Sequence, residues 1–341
     1  MATHYTIRGG IDSSAVYKEE ANYAVNPGTW TANAEHFGLT QSVTPSISRS
    51  LVKLRGLTGI LPAVNTVATS RDAQDIKAGK SELSVNVTYQ PQHFKFLKYV
   101  IGSTNTIEAD GIYYPQKTAA TYADKKKYVS LPSFSICQRF NFGGSGDAAD
   151  SVLILTGLKV NTWEMSASIG DPVSCTSSLM GSDITINQTT VDTSYPFVAL
   201  SAEDVYHFID SDVKIGSVSI ANLIDSFTLN INNNCQGLGD LRSYINEAVV
   251  AMGRDWTITI DQNFENITQI KNLLGGVAGV GKPVKIDTIN IELSKSVGKT
   301  LTCTLKNLRQ AEGMPGINYG DISKESITLE AEYGFFVENK E

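Results

Sequence analysis

The chain has 341 residues, of which 41% are hydrophobic and 18% charged, and its formal net charge is −7 at pH 7. This length exceeds what one hydrophobic core usually serves, so we expect two domains. An acidic protein repels phosphates, which argues against a role in gripping nucleic acid. No apolar run approaches the roughly 20 residues needed to cross a membrane, and the first residues lack the pattern of a secretory signal.

The first segment, residues 1–35, is polar with scattered aromatic residues and fits none of the patterns that follow it. We interpret it as an N-terminal arm. Such an arm either lies on a neighbouring subunit or forms a loose terminus.

The segment 81–102 reads as a strand followed by a helix. Leu83, Val85 and Val87 alternate with polar residues, which predicts a strand with one buried face. The apolar residues that follow at helical spacing are Phe94, Leu97, Val100 and Ile101. Gly102 is a common kind of residue at a helix end.

The segment 254–275 repeats this pattern without a gap. A constant shift of 173 positions (83 to 256) places the three strand residues on Trp256, Ile258 and Ile260. The same shift places the helical residues on Ile267, Ile270, Leu273 and Leu274, and Gly102 on Gly275.

Two further blocks recur in the same order. Residues 36–50 resemble the region 206–234, and residues 151–181 resemble residues 299–334. We therefore predict a duplicated domain, with copy 1 at 36–190, a linker at 191–205 and copy 2 at 206–341. A long polar insertion at 103–128 occurs in copy 1 alone, and its role stays open.

One-sided alternation elsewhere predicts antiparallel strands that bury one face. It is clear around residues 227–231, 289–293 and 327–331. The predicted fold is mainly β with one helix per repeat, in two tandem domains of the β-sandwich or half-barrel type. Because sheet edges seek partners, two such sheets favour assembly of several chains into a closed ring.

No residue pattern points to catalysis or to a cofactor. Residues 276–282 fit part of a phosphate loop, but Pro283 replaces the required Ser or Thr, and the loop lies between helix and strand in the wrong order. The four histidines lack metal-ligand spacing. Cys137, Cys175, Cys235 and Cys303 lie far apart, so we expect buried thiols. We predict no enzyme activity, catalytic residue, cofactor or metal.

Several stretches taken together resemble the major tail tube protein of long-tailed, siphovirus-like bacterial or archaeal viruses. They are "AVYKEEANYAVNPGTW" (15–30), "LTGLKVNTWEMSAS" (155–168), "VSCTSSLMG" (173–181) and "LIDSFTLNINNN" (223–234), along with the two strand-then-helix segments. The resemblance covers most of the chain and depends on order, spacing and duplication.

The resemblance implies stacked rings that form a tail tube. Members with two fused copies make trimers with six-fold-like symmetry, and genomic DNA passes through the central channel. It also implies assembly with other tail proteins (terminator, tape measure and baseplate or tip), with no membrane partner. The implied location is the virion tail, assembled in the host cytoplasm.

A channel that conducts DNA should make few phosphate contacts, so we expect neutral and acidic side chains to line it. The polar faces of the alternating strands supply such residues. The candidates for channel lining are Ser84, Asn86, Asn230, Asn232, Thr257 and Thr259.

Two other functions remain as alternatives. The first is the inner tube of a contractile tail or injection system, but such proteins are usually shorter and carry a single copy. The second is a β-sandwich surface or adhesion protein, which would need export and usually shows clusters of exposed aromatic residues. A sheath gene beside this one would favour the first, and binding on a glycan array would favour the second.

Overall fold

The structure is a computed structural model. It describes residues 13–28, 30, 33–54, 75–102, 105–107, 110–113, 131–140, 150–189, 204–216, 218–239, 243–263, 284–296, 299–313 and 324–340. The described chain is mainly β, as the alternation predicts.

Nine strands and one short helix belong to the first half of the chain. They are β1 (Ser13–Glu19), β2 (Leu39–Leu54), β3 (Asp75–Gln90), α1 (Leu97–Ile101), β4 (Asn105–Ile107), β5 (Asp110–Tyr113), β6 (Phe134–Phe140), β7 (Asp150–Ser168), β8 (Ser174–Gly181) and β9 (Asp183–Thr189).

Ten strands and one 3-10 turn belong to the second half. They are the turn Phe208–Asp210, then β10 (Ser211–Ile215), β11 (Val218–Ser219), β12 (Ile224–Asn232), β13 (Cys235–Leu238), β14 (Ala248–Ala251), β15 (Asp255–Asn263), β16 (Lys285–Ser296), β17 (Lys299–Glu312), β18 (Lys324–Ala331) and β19 (Tyr333–Lys340).

The strand pairings of the first half form two layers that share one long strand. The end of β7 pairs with β8, which pairs with β3, which pairs with β2. The beginning of β7 pairs with β6 and β9, and β6 also pairs with β1. Because β7 crosses from one layer to the other, the two layers close over a common apolar interior.

The second half has the same order of pairings. β17 pairs with β18, which pairs with β15, which pairs with β12. β17 also pairs with β16 and β19, and β16 with β10. Even a bulge recurs, between Val160 and Thr162 in β7 and between Gln310 and Glu312 in β17.

The two halves are joined by strand pairing. Thr162–Ser168 at the end of β7 pairs with Ser226–Asn232 of β12, so one sheet continues from one half into the other. We call this pairing the joint. A second link is formed by β5, which pairs with β19. Among the described residues, one cluster of buried side chains runs through both halves.

A network of polar side chains closes the joint on the side of α1. The amide nitrogen of Asn233 donates to the carbonyl oxygens of Val100 (3.1 Å) and Val160 (3.0 Å). Arg254 donates to the Asn233 side-chain oxygen (2.7 Å) and to the Ile101 carbonyl (3.0 Å). The buried Asn233 therefore ties the second half to the first-half helix.

The predicted helix of the first repeat has five residues, and tight turns lead into it and overlap its first residues. The Leu97 N–H donates to the Phe94 carbonyl and the Tyr99 N–H to the Phe96 carbonyl, both at 2.9 Å. Such three-residue spacing gives a 3-10 geometry. Gly102, with φ of 94°, ends the helix. All four apolar residues of the predicted face are buried.

Three other predicted segments fall partly or wholly outside the described residues. The apolar positions of the predicted second-repeat helix, 267–274, lie outside the described residues. Most of the predicted linker, 191–203, lies outside them too. The described parts of the 103–128 insertion form the β4–β5 hairpin.

The predicted arm needs correction at residues 13–19, which form β1 and belong to the folded sheet. Tyr17 of β1 is buried in an aromatic cluster, with its ring centroid 4.7 Å from that of Phe37 and 5.2 Å from that of Phe96. This aromatic contact anchors the strand to the core.

We predict that Glu20, which follows β1, contributes measurably to the free energy of unfolding. Its buried carboxylate accepts hydrogen bonds from Ser135 Oγ (2.6 Å), the Gly157 N–H (2.7 Å) and the Ala24 N–H (2.9 Å). Replacing Glu20 with Ala leaves these donors without their acceptor, so we expect a loss of about 3 kcal/mol in the free energy of unfolding.

Urea unfolding followed by circular dichroism measures this loss. Glu20→Gln is the matched comparison, because its amide oxygen keeps part of the acceptor capacity and should lose less stability. Equal midpoints for the wild type and Glu20→Ala would show that the carboxylate contributes nothing.

Candidate channel-lining surface

Seven neighbouring strands present one continuous polar face. In the order in which they pair, these strands are β2, β3, β8, β7, β12, β15 and β18. Directly paired residues of antiparallel strands lie on the same face, so the registers show which side chains stand together.

The polar residues form rows that cross the strands. The first row is Thr44, Asn86, Ser178, Thr162, Asn232 and Asp255, and the second is Ser42, Thr88, Thr176, Glu164, Asn230, Thr257 and Glu330. The third is Ser174, Ser166, Thr228, Thr259 and Thr328, and the fourth is Ser168, Ser226, Asp261 and Ser326.

The opposite face of the same strands is the core. Its residues alternate with those of the rows, and most of them are fully enclosed. Examples from five strands are Val85, Leu179, Trp163, Leu229 and Ile258, each with no exposed side-chain surface. Packing of this face fixes the register of every strand, because a one-residue slip would turn the apolar side chains outward.

All six residues predicted from the sequence lie on the polar face. Ser84 and Asn86 are exposed, whereas Asn230, Asn232, Thr257 and Thr259 are half-buried by their neighbours on the face. The structure brings them onto one surface. Whether that surface lines a channel remains a prediction.

Other residues of the face were not predicted, although the signal for them was present. In the stretch from Thr162 to Ser168, polar residues alternate with Trp163, Met165 and Ala167. Applying the alternation there would have added Thr162, Glu164 and Ser166. β8 and β18 have the same kind of alternation.

The face has an acidic electrostatic character. Every charged residue of the four rows is a carboxylate, namely Asp255, Glu164, Glu330 and Asp261. Basic residues lie at the margins of these rows. Arg309 of β17 pairs with Glu330, and Lys159 lies in the row of Ser84. Lys324 of β18 pairs with Asn263 just beyond the fourth row. Such a face makes few favourable contacts with phosphates.

Hydrogen bonds between side chains order part of the face. The hydroxyl oxygens of Thr259 and Thr328 lie 3.3 Å apart, and Ser226 Oγ donates to the Asp261 carboxylate at 2.7 Å. Asp255 accepts from the Asn234 amide at 2.7 Å. These bonds hold short polar side chains against the sheet, and the four rows are hydrophilic throughout.

The described residues offer no other chemical centre on this surface. No three His, Cys, Asp or Glu side chains come together there or elsewhere in the described chain in a way that could hold a metal ion. No helix among the described residues combines the length and the apolar character needed to span a bilayer.

The cysteines give a prediction about thiol reactivity. Burial raises the pKa of Cys137 to about 12 and that of Cys235 to about 11, and it also raises the pKa values of Cys175 and Cys303. Because the thiolate is the reactive form, we expect all four to react slowly with a thiol reagent at pH 8, with the half-buried Cys235 reacting first.

Titration with a chromogenic disulfide reagent, with and without denaturant, measures this reactivity. The denatured chain serves as the reference and should release four equivalents within the mixing time. Fast native reaction of Cys137, Cys175 or Cys303 would contradict their burial.

The protein has two β layers, and its wide sheet buries one face and exposes a polar face. This architecture is typical of a structural protein that forms a surface. A family model of phage tail tube proteins matches residues 10–319, and the chain therefore belongs to that family. It is a structural protein of the virion tail that assembles with itself and with other tail proteins. No curated protein matches the chain.

Proposed function

We propose that three copies of this chain close into a ring with six-fold-like symmetry, and that stacked rings form a tail tube that conducts genomic DNA. The tube belongs to a long-tailed virus without a sheath. The polar face of the seven strands lines the channel. The terminator, tape measure and baseplate or tip proteins are the further partners, and assembly takes place in the host cytoplasm.

The observation that carries the proposal is the repeated order of strand pairings. β2, β3, β6, β7, β8 and β9 of the first half correspond to β12, β15, β16, β17, β18 and β19 of the second half, with β1 corresponding to β10. Such a repeat supports a duplicated domain. It also refines the domain limits, because the first copy then begins at β1 and not at residue 36.

The joint between the halves supports a ring in particular. The polar face passes from the first half to the second without interruption, through the pairing of β7 with β12. If the same joint recurs between chains, three chains give six sheet units around one axis. A closed barrel of this kind leaves no exposed sheet edge.

The acidic and neutral character of the face supports passage of DNA. Tight binding needs basic side chains that neutralise phosphates and release counterions. The four rows offer only hydroxyl, amide and carboxylate groups, and the basic residues Lys159, Arg309 and Lys324 lie at their margins. DNA that meets such a surface moves along it with few attractive contacts.

Negative-stain microscopy and native mass spectrometry of the purified protein test the proposal. We expect rings or tubes with a central hole, and a repeating mass of three chains of 36.9 kDa each. A hexameric ring would show that the two halves do not act as separate sheet units. A monomer that never assembles would overturn the proposal.

A further inference from the structure

The residues 91–94, which lie between β3 and α1 and which we call the 91–94 turn, hold the second half of the chain. The Phe94 N–H donates to a carboxylate oxygen of the buried Glu338 of β19 at 3.1 Å. The ammonium group of Lys295 in β16 donates to the Gln92 carbonyl oxygen. The turn therefore forms a further contact between the two halves, apart from the joint.

His36 contacts the same turn from within the first half. Its side chain is 9% exposed, and its ring centroid lies 4.9 Å from that of His93. Gly38, two residues further along, leads directly into β2. The turn thus lies between groups of both halves, with an imidazole ring on the first-half side of the contact.

Gly38 fixes the donor that faces His36. The Gly38 N–H donates to His36 Nδ1 at 3.1 Å. Gly38 has a φ of 115°, and a Cβ atom on it would lie 2.3 Å from the Gln90 carbonyl oxygen and 2.9 Å from the Gln92 nitrogen. Its backbone is therefore packed against the backbone of the turn. The N–H cannot rotate away from His36 unless the turn moves as well.

This donor favours the neutral form of His36. A ring nitrogen that accepts a hydrogen bond carries no proton, so the proton of the neutral ring lies on Nε2. The imidazolium form has N–H groups on both nitrogens, and one of them would then point at the Gly38 N–H. Burial acts in the same direction and lowers the pKa of His36.

The charged groups around His36 do not supply a partner for its protonated form. Glu35 raises the pKa of His36 and Lys95 lowers it, but burial has the larger effect. Both oxygens of the Glu35 carboxylate contact Lys95 Nζ, at 2.9 and 3.0 Å. The other titratable groups at the turn are His93 on the turn itself and the second-half residues Glu338 and Lys295.

We propose that the contact between His36 and the 91–94 turn is pH-sensitive, and that protonation of His36 in mild acid breaks its hydrogen bond with Gly38 and releases the turn from the second half. The closed form contains a neutral imidazole, whereas a released histidine has the ordinary pKa of about 6.5. The contact is therefore complete above about pH 6.5 and loses stability as the pH falls below that value. This inference concerns the single chain and does not depend on the proposed ring.

Hydrogen exchange of the full chain, followed by mass spectrometry at pH 7.5 and pH 5.5, tests the inference. Exchange rates are first corrected for their intrinsic dependence on pH. We expect the protection of peptides that cover residues 36–38 and 92–97 to fall about fivefold at pH 5.5. A single histidine contributes at most about tenfold over this range, because its released form has an ordinary pKa. Residues 226–231 of β12, which pair on both sides and contain no histidine, serve as the internal reference.

His36→Asn removes the titration and keeps the hydrogen bond. An Asn side chain accepts the N–H two residues further along in an Asx turn, and its amide gains no proton in mild acid. The turn of this variant should therefore have the same corrected protection at both pH values. His207→Asn is the matched control, because His207 is an exposed histidine of the second half. It should keep the acid response of the wild type.

Lys95→Met tests the same contact without changing His36. The substitution frees the Glu35 carboxylate from its ion pair, so that it can pair with the imidazolium and stabilise it. We expect the loss of protection at pH 5.5 to be less than half that of the wild type. A loss as large as that of the wild type would contradict the role of His36.

Two further results would overturn the inference. One is equal corrected protection of the wild-type turn at pH 7.5 and pH 5.5. The other is an equal loss in the wild type and in His36→Asn, because both keep Glu338 and the response would then come from another titrating group. Neither result bears on the ring, whereas a wild-type chain that stays monomeric would refute the proposed function and leave the pH-sensitive contact intact.

Discussion

Replacing Trp163 with Ala is expected to lower the free energy of unfolding of the single chain by about 3–5 kcal/mol, the usual cost of truncating a large buried aromatic residue. Trp163 has no exposed surface. It lies on β7 at the joint, where it pairs with Ser177 of β8 and Ile231 of β12.

Two specific contacts are lost together with the packing. Trp163 Nε1 donates to the hydroxyl oxygen of Tyr89 at 3.1 Å, and the Trp163 ring meets the Phe336 ring edge-on at 5.9 Å between centroids. Phe336 also lies 6.0 Å from the Trp256 ring. The substitution therefore opens a cavity where the first and second halves share their core.

Urea unfolding followed by far-ultraviolet circular dichroism measures the effect. Trp163→Phe keeps the aromatic contact and loses the hydrogen bond to Tyr89, so we expect a loss of about 1–2 kcal/mol. Glu164→Ala changes the next residue, which lies on the polar face, and should stay within about 0.5 kcal/mol of the wild type. A Trp163→Ala midpoint equal to that of Glu164→Ala would show that the joint has no shared core.

The strands of the sheet were predicted well from the sequence, because the alternation within one strand shows which of its residues are buried. Alternation identifies which residues of β3 and β15 are buried, and the shift of 173 positions places them on equivalent partners. Leu83 pairs with Gly181 and Val85 with Leu179, while Trp256 pairs with Ala331 and Ile258 with Leu329. Which side chains of a strand face the core is determined by the alternation of its own residues, so it can be predicted from the local sequence.

Features that depend on distant or tight contacts were predicted less well. An apolar spacing of three and four fits an α-helix, but it equally fits the tight turns from Phe94 to Tyr99. The pairing of β5 with β19 joins residues more than 200 positions apart. No local pattern specifies that pairing. β1 was assigned to the arm because its short polar–apolar alternation is weak without the aromatic cluster around Tyr17.

The candidate lining residues show the same limit. Alternation shows that Asn86 and Thr259 share a polar face with their neighbours, and the structure extends that face across seven strands. Which side of the sheet faces a channel depends on contacts between chains, which no pattern within one chain contains. The electrostatic character of the face is therefore best tested in the assembled tube.

Reversing the charge of the polar face is expected to turn the tube into a DNA-binding protein. Glu164→Lys/Asp255→Lys replaces two carboxylates of the four rows with two ammonium groups, so it removes two negative charges and adds two positive charges per chain. Phosphate contacts by the new lysines release counterions, so affinity for duplex DNA should appear at 50 mM salt and fall at least tenfold by 200 mM. Wild-type tubes should not bind measurably at either salt concentration.

The form of the DNA distinguishes a channel from an outer surface. Short linear duplexes can enter a preassembled tube from its end, whereas covalently closed circular DNA cannot thread it. The variant should therefore bind linear duplexes and not circles, as measured by sedimentation with the tubes.

Asp183→Lys/Asp287→Lys is the matched control, since it makes the same charge change at exposed residues of β9 and β16, outside the polar face. We expect this control either to bind neither form of DNA or to bind both alike. Equal binding of circles by the variant with the altered polar face would place that face on the outside of the tube. Circles cannot enter the tube, so a face that binds them cannot line the channel. The acidic rows would then contribute to solubility and not to the passage of DNA.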